Sequence, residues 1–199
     1  MSEKLLGNLP QGLIFVLSAP AGTGKTTLVG MLRDEFTCVV ESISCTTRAP
    51  RPDEISGKDY YFMDAAAFEA KIAAGDFLEH AQVFDSYYGT SKEYVQQQQE
   101  KGKHVFLVID TQGALQLKGK LNAIFVFISP PSLQELRERL FKRKTESLEM
   151  IEQRLSWAKQ EMALAPKYDY NIINDNLHHA YDILRSIVIA EEHRVRKSK

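Results

Sequence analysis

The sequence predicts an α/β fold with a parallel sheet flanked by helices. Short, continuous apolar runs alternate with helical periodicities along most of the chain. The first such run opens directly into a glycine-rich turn that leads into a helix. Residues 44–95, rich in Arg, Pro, Gly and Tyr, break the alternation and predict a small insert on the edge of the sheet.

Leu13-Ile14-Phe15-Val16-Leu17 is apolar at every position, as expected of a strand buried on both faces. It ends at the Pro/Gly stretch of residues 20–24. The helix after Lys25 is expected to bury Leu28, Met31, Leu32 and Phe36. Val105–Ile109 and Ile124–Ile128 read as further buried strands, followed by helical stretches at 111–118 and 133–143. Ser132 and Glu135 have capping-box spacing at the start of the second. Tyr170–Ile173 predicts a last strand, and Leu177–Arg194 a last helix. Gln96–Gln99 are expected on an exposed helix face. The aromatics of the insert predict short antiparallel strands. "RERLFKRK", residues 137–144, holds five basic residues in eight and predicts a second flap.

At 199 residues the chain suffices for one good core with small insertions. A formal net charge of −1 offers no global field for nucleic acid or a membrane, so neither is an expected partner. The longest apolar run near the start is too short to span a bilayer, and no signal-peptide pattern is present. Cys38 and Cys45 match neither a zinc spacing nor a redox pair. The expected setting is a reducing, cytoplasmic one. Monomer and homo-oligomer both stay open.

"SAPAGTGKTT", residues 18–27, carries Gly24, Lys25 and Thr26 of the pattern G-x-x-x-x-G-K-[ST], with Ala19 at the first glycine position. A small residue serves there if its φ is negative. Gly22 and Gly24 stand where the backbone must approach phosphate. Amides of such a turn and of the following helix N-terminus form an anion cradle. Ala19, Pro20, Ala21, Gly22, Thr23, Gly24, Lys25, Thr26 and Thr27 are therefore the expected site for the phosphates of a nucleoside triphosphate. Lys25 is expected on the β- and γ-phosphates, and Thr26 on Mg²⁺, the expected cofactor with that triphosphate. In "TTRAPR", Arg48 and Arg51 flank Pro50, which suits a bidentate grip on a second phosphate. Tyr60 and Tyr88 have hydroxyls for the same phosphate. Glu79 in "FLEHA" is a carboxylate among apolar residues, able to accept two N–H bonds from a purine such as guanine. Taken singly, such arginines and such a carboxylate also fit a plain solvated surface.

Together, "SAPAGTGKTT", "SCTTRAPRPDEISGKDYYF", "FLEHAQVFDSYYGTS", "IDTQGA", "FISPPS" and "INDN" resemble the guanylate kinase family, in order and spacing, over nearly the whole chain. The alanine before proline resembles the family's bacterial branch. The resemblance implies a P-loop kinase core with a parallel sheet, a small mixed GMP-binding insert and a helical lid. It divides the chain into core (1–43), insert (44–95), core (96–136), lid (137–155) and core (156–199). It implies transfer of the ATP γ-phosphoryl group to GMP. Carried over residue by residue, Ser44, Glu79 and Thr90 contact guanine, and Arg48, Arg51, Tyr60 and Tyr88 hold the GMP phosphate. Asp110 sits at an acidic position near the substrate nucleotide and the metal. Arg139, Arg143 and Arg154 come from the lid side, and Asn174 lies near the ATP base. Lys25, Arg48, Arg143 and Arg154 form the implied catalytic set.

The chain departs from the family pattern in places. Val108 stands where an acidic residue is usual, and Thr111 where a bulky one is common. Lys142-Arg143-Lys144 lacks the lid's usual glycines. Two rival readings stand beside the kinase. One is a guanylate-kinase-like module that binds phosphorylated protein segments, against which Lys25 and the lid arginines argue. The other is a loop kinase for another small acceptor, which would leave Glu79, Ser44 and Thr90 unpaired.

Overall fold

Residues 4–83, 85–142 and 148–195 are described by the computed structural model. Five strands form a parallel sheet: β1 (Ile14–Ser18), β2 (Val39–Glu41), β7 (His104–Val108), β8 (Ile124–Ser129) and β9 (Tyr170–Ile173). Their order is β2-β7-β1-β8-β9, which puts β1 at the centre. The unbroken apolar run of β1 has a simple cause, since successive side chains point to opposite faces and both faces are covered. Phe15 and Leu17 join one cluster with Leu28, Val29 and Leu32 of α1 (Lys25–Glu35) and Leu184 and Val188 of α7 (Leu177–Glu192). Ile14 and Val16 join the opposite cluster. Its partners are Val95 of α3 (Lys92–Glu100) and Ala114 and Leu117 of α4 (Thr111–Leu117). Phe15 stacks on Phe106 of β7 with ring centroids 4.9 Å apart. Each such buried side chain contributes about 1.5–3 kcal/mol.

The remaining strands build a second, smaller sheet: β3 (Cys45–Thr46), β4 (Tyr61–Phe62), β5 (Phe77–Val83) and β6 (Ser86–Ser91), ordered β4-β3-β6-β5. It is mixed, as the family resemblance implies: β3 pairs with β4 in parallel, while β3–β6 and β5–β6 are antiparallel, as the aromatics predict. The long connection of residues 47–60 between β3 and β4 allows the parallel pair. Helix α2 (Ala65–Ala74) follows β4 and leads to β5. Its Phe68 is fully buried against Phe77 and Tyr87. Beyond the sheets, α5 (Leu133–Lys142) and α6 (Leu148–Met162) pack together through Leu136, Leu140, Ile151 and Ala158. Ser132 caps α5 by accepting the Glu135 N–H at 3.0 Å.

Other expectations also shift. In α1 the buried third residue is Val29, while Met31 and Phe36 are only partly covered. Gln96 and Gln97 are exposed, but Gln99 turns inward and donates to the Gly12 carbonyl at 2.7 Å. The edge strand β2 and helix α2 had no distinct signal, being short or low in amphipathic contrast. Among the described residues, no helix is long and apolar enough to cross a membrane, and Cys38 and Cys45 are free.

A buried knot fastens the chain's first turns to its last helix. Glu192 accepts N–H bonds from Gly7 (2.7 Å) and Asn8 (2.9 Å) and from the Asn8 side chain. The fully buried His104 bonds the same carboxylate at 2.5 Å. Its Nδ1 accepts the Leu13 N–H at 3.0 Å, so Nε2 carries the proton and donates to Glu192. Burial alone raises the Glu192 carboxyl. The donors from Gly7, Asn8 and His104 outweigh it and hold the group below its usual 4.5. A depressed carboxyl contributes stability above the unfolded value, and loses it as pH falls through the folded one. Glu192→Gln is expected to cost about 2 kcal/mol at pH 7. The difference from the parent chain should shrink below pH 4.5. Urea unfolding at several pH values checks both.

Candidate functional site

The site lies at the carboxyl ends of the parallel strands, where open α/β sheets bind ligands. β1 ends at Ser18 and releases the glycine-rich loop between its neighbours β7 and β8. Gly22 (φ 89°) and Gly24 (φ 93°) both adopt the left-handed conformation that the turn requires. Gly24 is the N-cap of α1, and no side chain caps the helix. No acidic residue occupies its first turn, so its amide dipole faces the loop uncompensated. Thr23 is buried, and its hydroxyl donates to the Pro20 carbonyl at 2.7 Å, which tightens the turn. Asn174, just past β9, is also buried and donates to the Thr23 carbonyl at 2.7 Å. Asn174 therefore braces the loop in addition to its expected place near the ATP base. Ala19 and Pro20 are buried at the loop's root, whereas Ala21, Thr26 and Thr27 face outward. From above, Leu136 and Leu140 of α5 close on Gly22: a Cβ there would lie 3.0 Å from Leu140 Cδ2.

The Lys25 ammonium donates to the Ala19 carbonyl. Burial pulls its pKa from 10.5 down to about 8, against the opposing charges of Glu161 and Asp110. Glu161, on α6, is itself pushed up to about 7 by burial, with Lys25 pulling the other way and Asp110 adding to the rise. A lone glutamate on an amphipathic helix carries no local signal. Tyr168 completes this group. Its buried hydroxyl lies near Ser18, Glu161 and Asp110, and burial first, with the two carboxylates adding, pushes its pKa up to about 12 while Ser18 opposes. Asp110 caps α4, its Oδ1 accepting the Gly113 N–H at 2.8 Å, and its carbonyl takes the Ser18 hydroxyl at 3.3 Å. Val108 ends β7 as a partly buried apolar residue against the core.

The second half of the site is in the smaller sheet. Arg48 grips Glu54 with one guanidinium nitrogen at 2.7 and 2.9 Å from the two carboxylate oxygens. Its guanidinium lies 5.3 Å from the Tyr60 ring centroid. The Glu54 bond, with Tyr88 adding to it, holds Arg48 firmly in the charged form. Tyr60 and Tyr88 meet edge to face at 5.9 Å. Arg51 is largely exposed, with its backbone N–H on Glu54 at 2.8 Å. Arg48, Arg51, Tyr60 and Tyr88 thus converge, with Glu54 as an anchor the sequence reading left unassigned. Its signal was the short spacing to Arg48 and Arg51 in one rigid segment. Glu79 is buried, and its Oε1 accepts the Thr90 hydroxyl at 2.6 Å. Burial raises Glu79 to about 7, with Thr90 opposing and Asp110 adding. Ser44 stands at the head of β3, partly covered, with its carbonyl on the Tyr61 N–H.

Of the basic flap, Arg139 on α5 is half-buried and bonds Glu135 at 3.3 Å. Arg154 lies half-buried on α6. Arg143 lies outside the described residues. Among the described residues there is no group of three or more metal-ligating side chains.

A central strand, a phosphate loop with its lysine and a substrate-sized insert define a phosphate-loop kinase. The comparisons narrow the class. The family model for guanylate kinase matches residues 11–191, and the chain belongs to the guanylate kinase family. A relative named guanylate kinase from Protochlamydia amoebophila is 60% identical over 96% of this chain and 97% of its own. One of the same name from Caldanaerobacter subterraneus is 45% identical, over 95% and 92%. The crystal structure of guanylate kinase from Anaplasma phagocytophilum superposes with a TM-score of 0.77 at 34% identity, covering 93% of this chain and 88% of that one.

Lys25 and Glu161 titrate in the same direction when an anion enters the loop. Phosphate favours the ammonium of Lys25 and disfavours the carboxylate of Glu161. Pyrophosphate binding between pH 7 and 8 is therefore expected to take up protons. Calorimetry in buffers of different ionisation enthalpy reads the uptake, which should fall in Lys25→Met.

Proposed function

We propose that the chain transfers the γ-phosphoryl group of ATP to GMP, giving ADP and GDP. The observation that carries this reading is the pairing of an uncapped phosphate loop with an arginine–tyrosine cluster and a buried carboxylate on the separate, smaller sheet. The loop takes a triphosphate through the α1 amides and Lys25. Arg48, Arg51, Tyr60 and Tyr88 take the GMP phosphate, with Glu54 holding Arg48 in place. Glu79, with Ser44 and Thr90, takes the guanine edge. The insert of residues 44–95 and the lid of residues 137–155 close over the two nucleotides, and Arg139, Arg143 and Arg154 come from the lid.

Two polyanions must be brought in line, so the protein's task is neutralisation and positioning rather than covalent chemistry. Lys25 spreads positive charge over the transferring group, and the arginines offset repulsion between donor and acceptor. The acceptor phosphate oxygen is already a nucleophile, so no general base is required. Glu161 and Asp110 keep Lys25 protonated against its burial until the phosphates arrive. Water is excluded by closure, which favours GMP over hydrolysis.

The donor set suits Mg²⁺. Thr26 is exposed at the first turn of α1, and Asp110, close enough to act on the charge of Lys25, offers carboxylate oxygen. Mg²⁺ is commonly held by one or two protein oxygens, substrate phosphates and water. Thr26 and Asp110 would hold it, and when bound it neutralises charge on the donor phosphates. ATP and GMP are the partners of this reading, and the cytoplasm its setting.

ADP release from ATP and Mg²⁺ is measured with GMP, AMP, dTMP or no acceptor; turnover with GMP alone is expected. Glu79→Gln should raise the KM for GMP by about 100-fold or more, since a charged bond pair is lost and a donor faces a donor. The KM for ATP should stay near its original value. Because Glu79 is raised to about 7 and guanine N–H groups need the carboxylate, GMP must displace a proton below that pH. The KM for GMP is expected to climb as pH falls below 7, a slope absent from Glu79→Gln. Glu54→Gln should weaken GMP about tenfold while ATP is unaffected, through a loosened Arg48.

A further inference from the structure

Glu79 lies on β5, the edge strand of the smaller sheet. The β5–β6 register slips between Phe77 and His80: Phe77 pairs with Ser91, but His80 with Gly89. Three steps along β5 therefore match two along β6, so an extra residue bulges at Leu78–Glu79. A bulge re-aims a side chain, but it also weakens the strand at that point. Something outside the sheet has to hold Glu79 in one orientation.

Helix α4 of the core meets β5 there. Asp110, Gly113 and Gln116 are spaced by three and share one face of that helix. Gln116 takes both backbone groups of His80, the residue after Glu79. Its Nε2 donates to the His80 carbonyl at 2.8 Å, and its Oε1 accepts the His80 N–H at 3.4 Å. The free edge of β5 is thus paired by a side chain. One turn earlier, Gly113 is buried against the Glu79 carboxylate. A Cβ on Gly113 would lie 2.4 Å from Glu79 Oε2 and 3.0 Å from its Cδ. The Gly113 φ is not in the left-handed region, so this glycine is needed for space and not for backbone conformation.

We propose that Gly113 and Gln116 are positioning residues that set guanine specificity. They seat the bulged Glu79 between the Thr90 hydroxyl and the bare backbone of α4. The proposal rests on Glu79 being the guanine reader. Gly113 leaves the volume that Oε2 occupies, and Gln116 pins the strand that carries it. Because Asp110 caps the same helix, the seat also ties Glu79 to Asp110, which follows β7 at the edge of the phosphate loop.

The test uses Gly113→Ala, Gln116→Leu, Glu79→Gln and the double variant Glu79→Gln/Gly113→Ala in the full chain. Steady-state kinetics are run with GMP and with inosine monophosphate, which lacks the 2-amino group, and with ATP varied separately. Gly113→Ala is expected to lower the preference for GMP over inosine monophosphate by about tenfold or more, as a displaced charged acceptor implies. ATP KM should be unchanged. Gln116→Leu should lower the preference in the same direction. In the Glu79→Gln background, Gly113→Ala should add less than about twofold, because coupled sites are not additive. Alanine favours a helix over glycine, so urea unfolding of Gly113→Ala should show no loss of stability. Unchanged preference in both Gly113→Ala and Gln116→Leu overturns the inference, and so does an equal loss for both acceptors with a raised ATP KM. If Glu79→Gln itself keeps the preference, the guanine reading fails and the seat falls with it. If only Glu79→Gln loses the preference, the seat alone is wrong.

Discussion

An uncapped helix N-terminus at the centre of the sheet is the constraint on which the molecule depends. α1 starts at a glycine in the left-handed conformation, with no side chain satisfying its first amides. Such an end is costly unless an anion or water takes those donors. It must also be rigid, because a cradle that shifts by an ångström loses its orientation. The rest of the core supplies that rigidity. β1 is covered on both faces, Thr23 ties the turn to Pro20, and Asn174 ties it to the end of β9.

Charge is arranged around that cradle in a graded way. Lys25 is drawn toward neutrality by burial, and two carboxylates draw it back. Glu161 and Glu79 are each raised to about 7, by burial first and by the Asp110 charge in addition. Asp110 therefore links the phosphate loop to the buried Glu79 of the smaller sheet electrostatically, while α4 links them mechanically. The two half-sites belong to different sheets, and α4 against β5 is the joint between them.

The phosphate loop and the central strand were legible because their signals are local. A fully apolar run, two glycines and a lysine–threonine pair state a strand, a turn and a helix start without help from the rest of the chain. The arginine–proline segment and the order of the family blocks likewise carried the second site. The parallel β3–β4 pair and the bulge in β5 were not legible, because two-residue strands and register slips follow from what they pack against. Glu54, Glu161, Gly113 and Gln116 were missed for the same reason: each matters through a partner distant in space or on another element.

Sequence by itself determined the kind of chemistry. Residue types at fixed spacings specify which groups are available, and a backbone cradle needs only its own few residues to form. Tertiary structure alone decided what those groups experience. The shift of Lys25, the raised Glu79 and Glu161, and the space beside Gly113 all arise from burial and from charges on other elements. Desolvation and close packing depend on the whole fold, and no short window of sequence contains them.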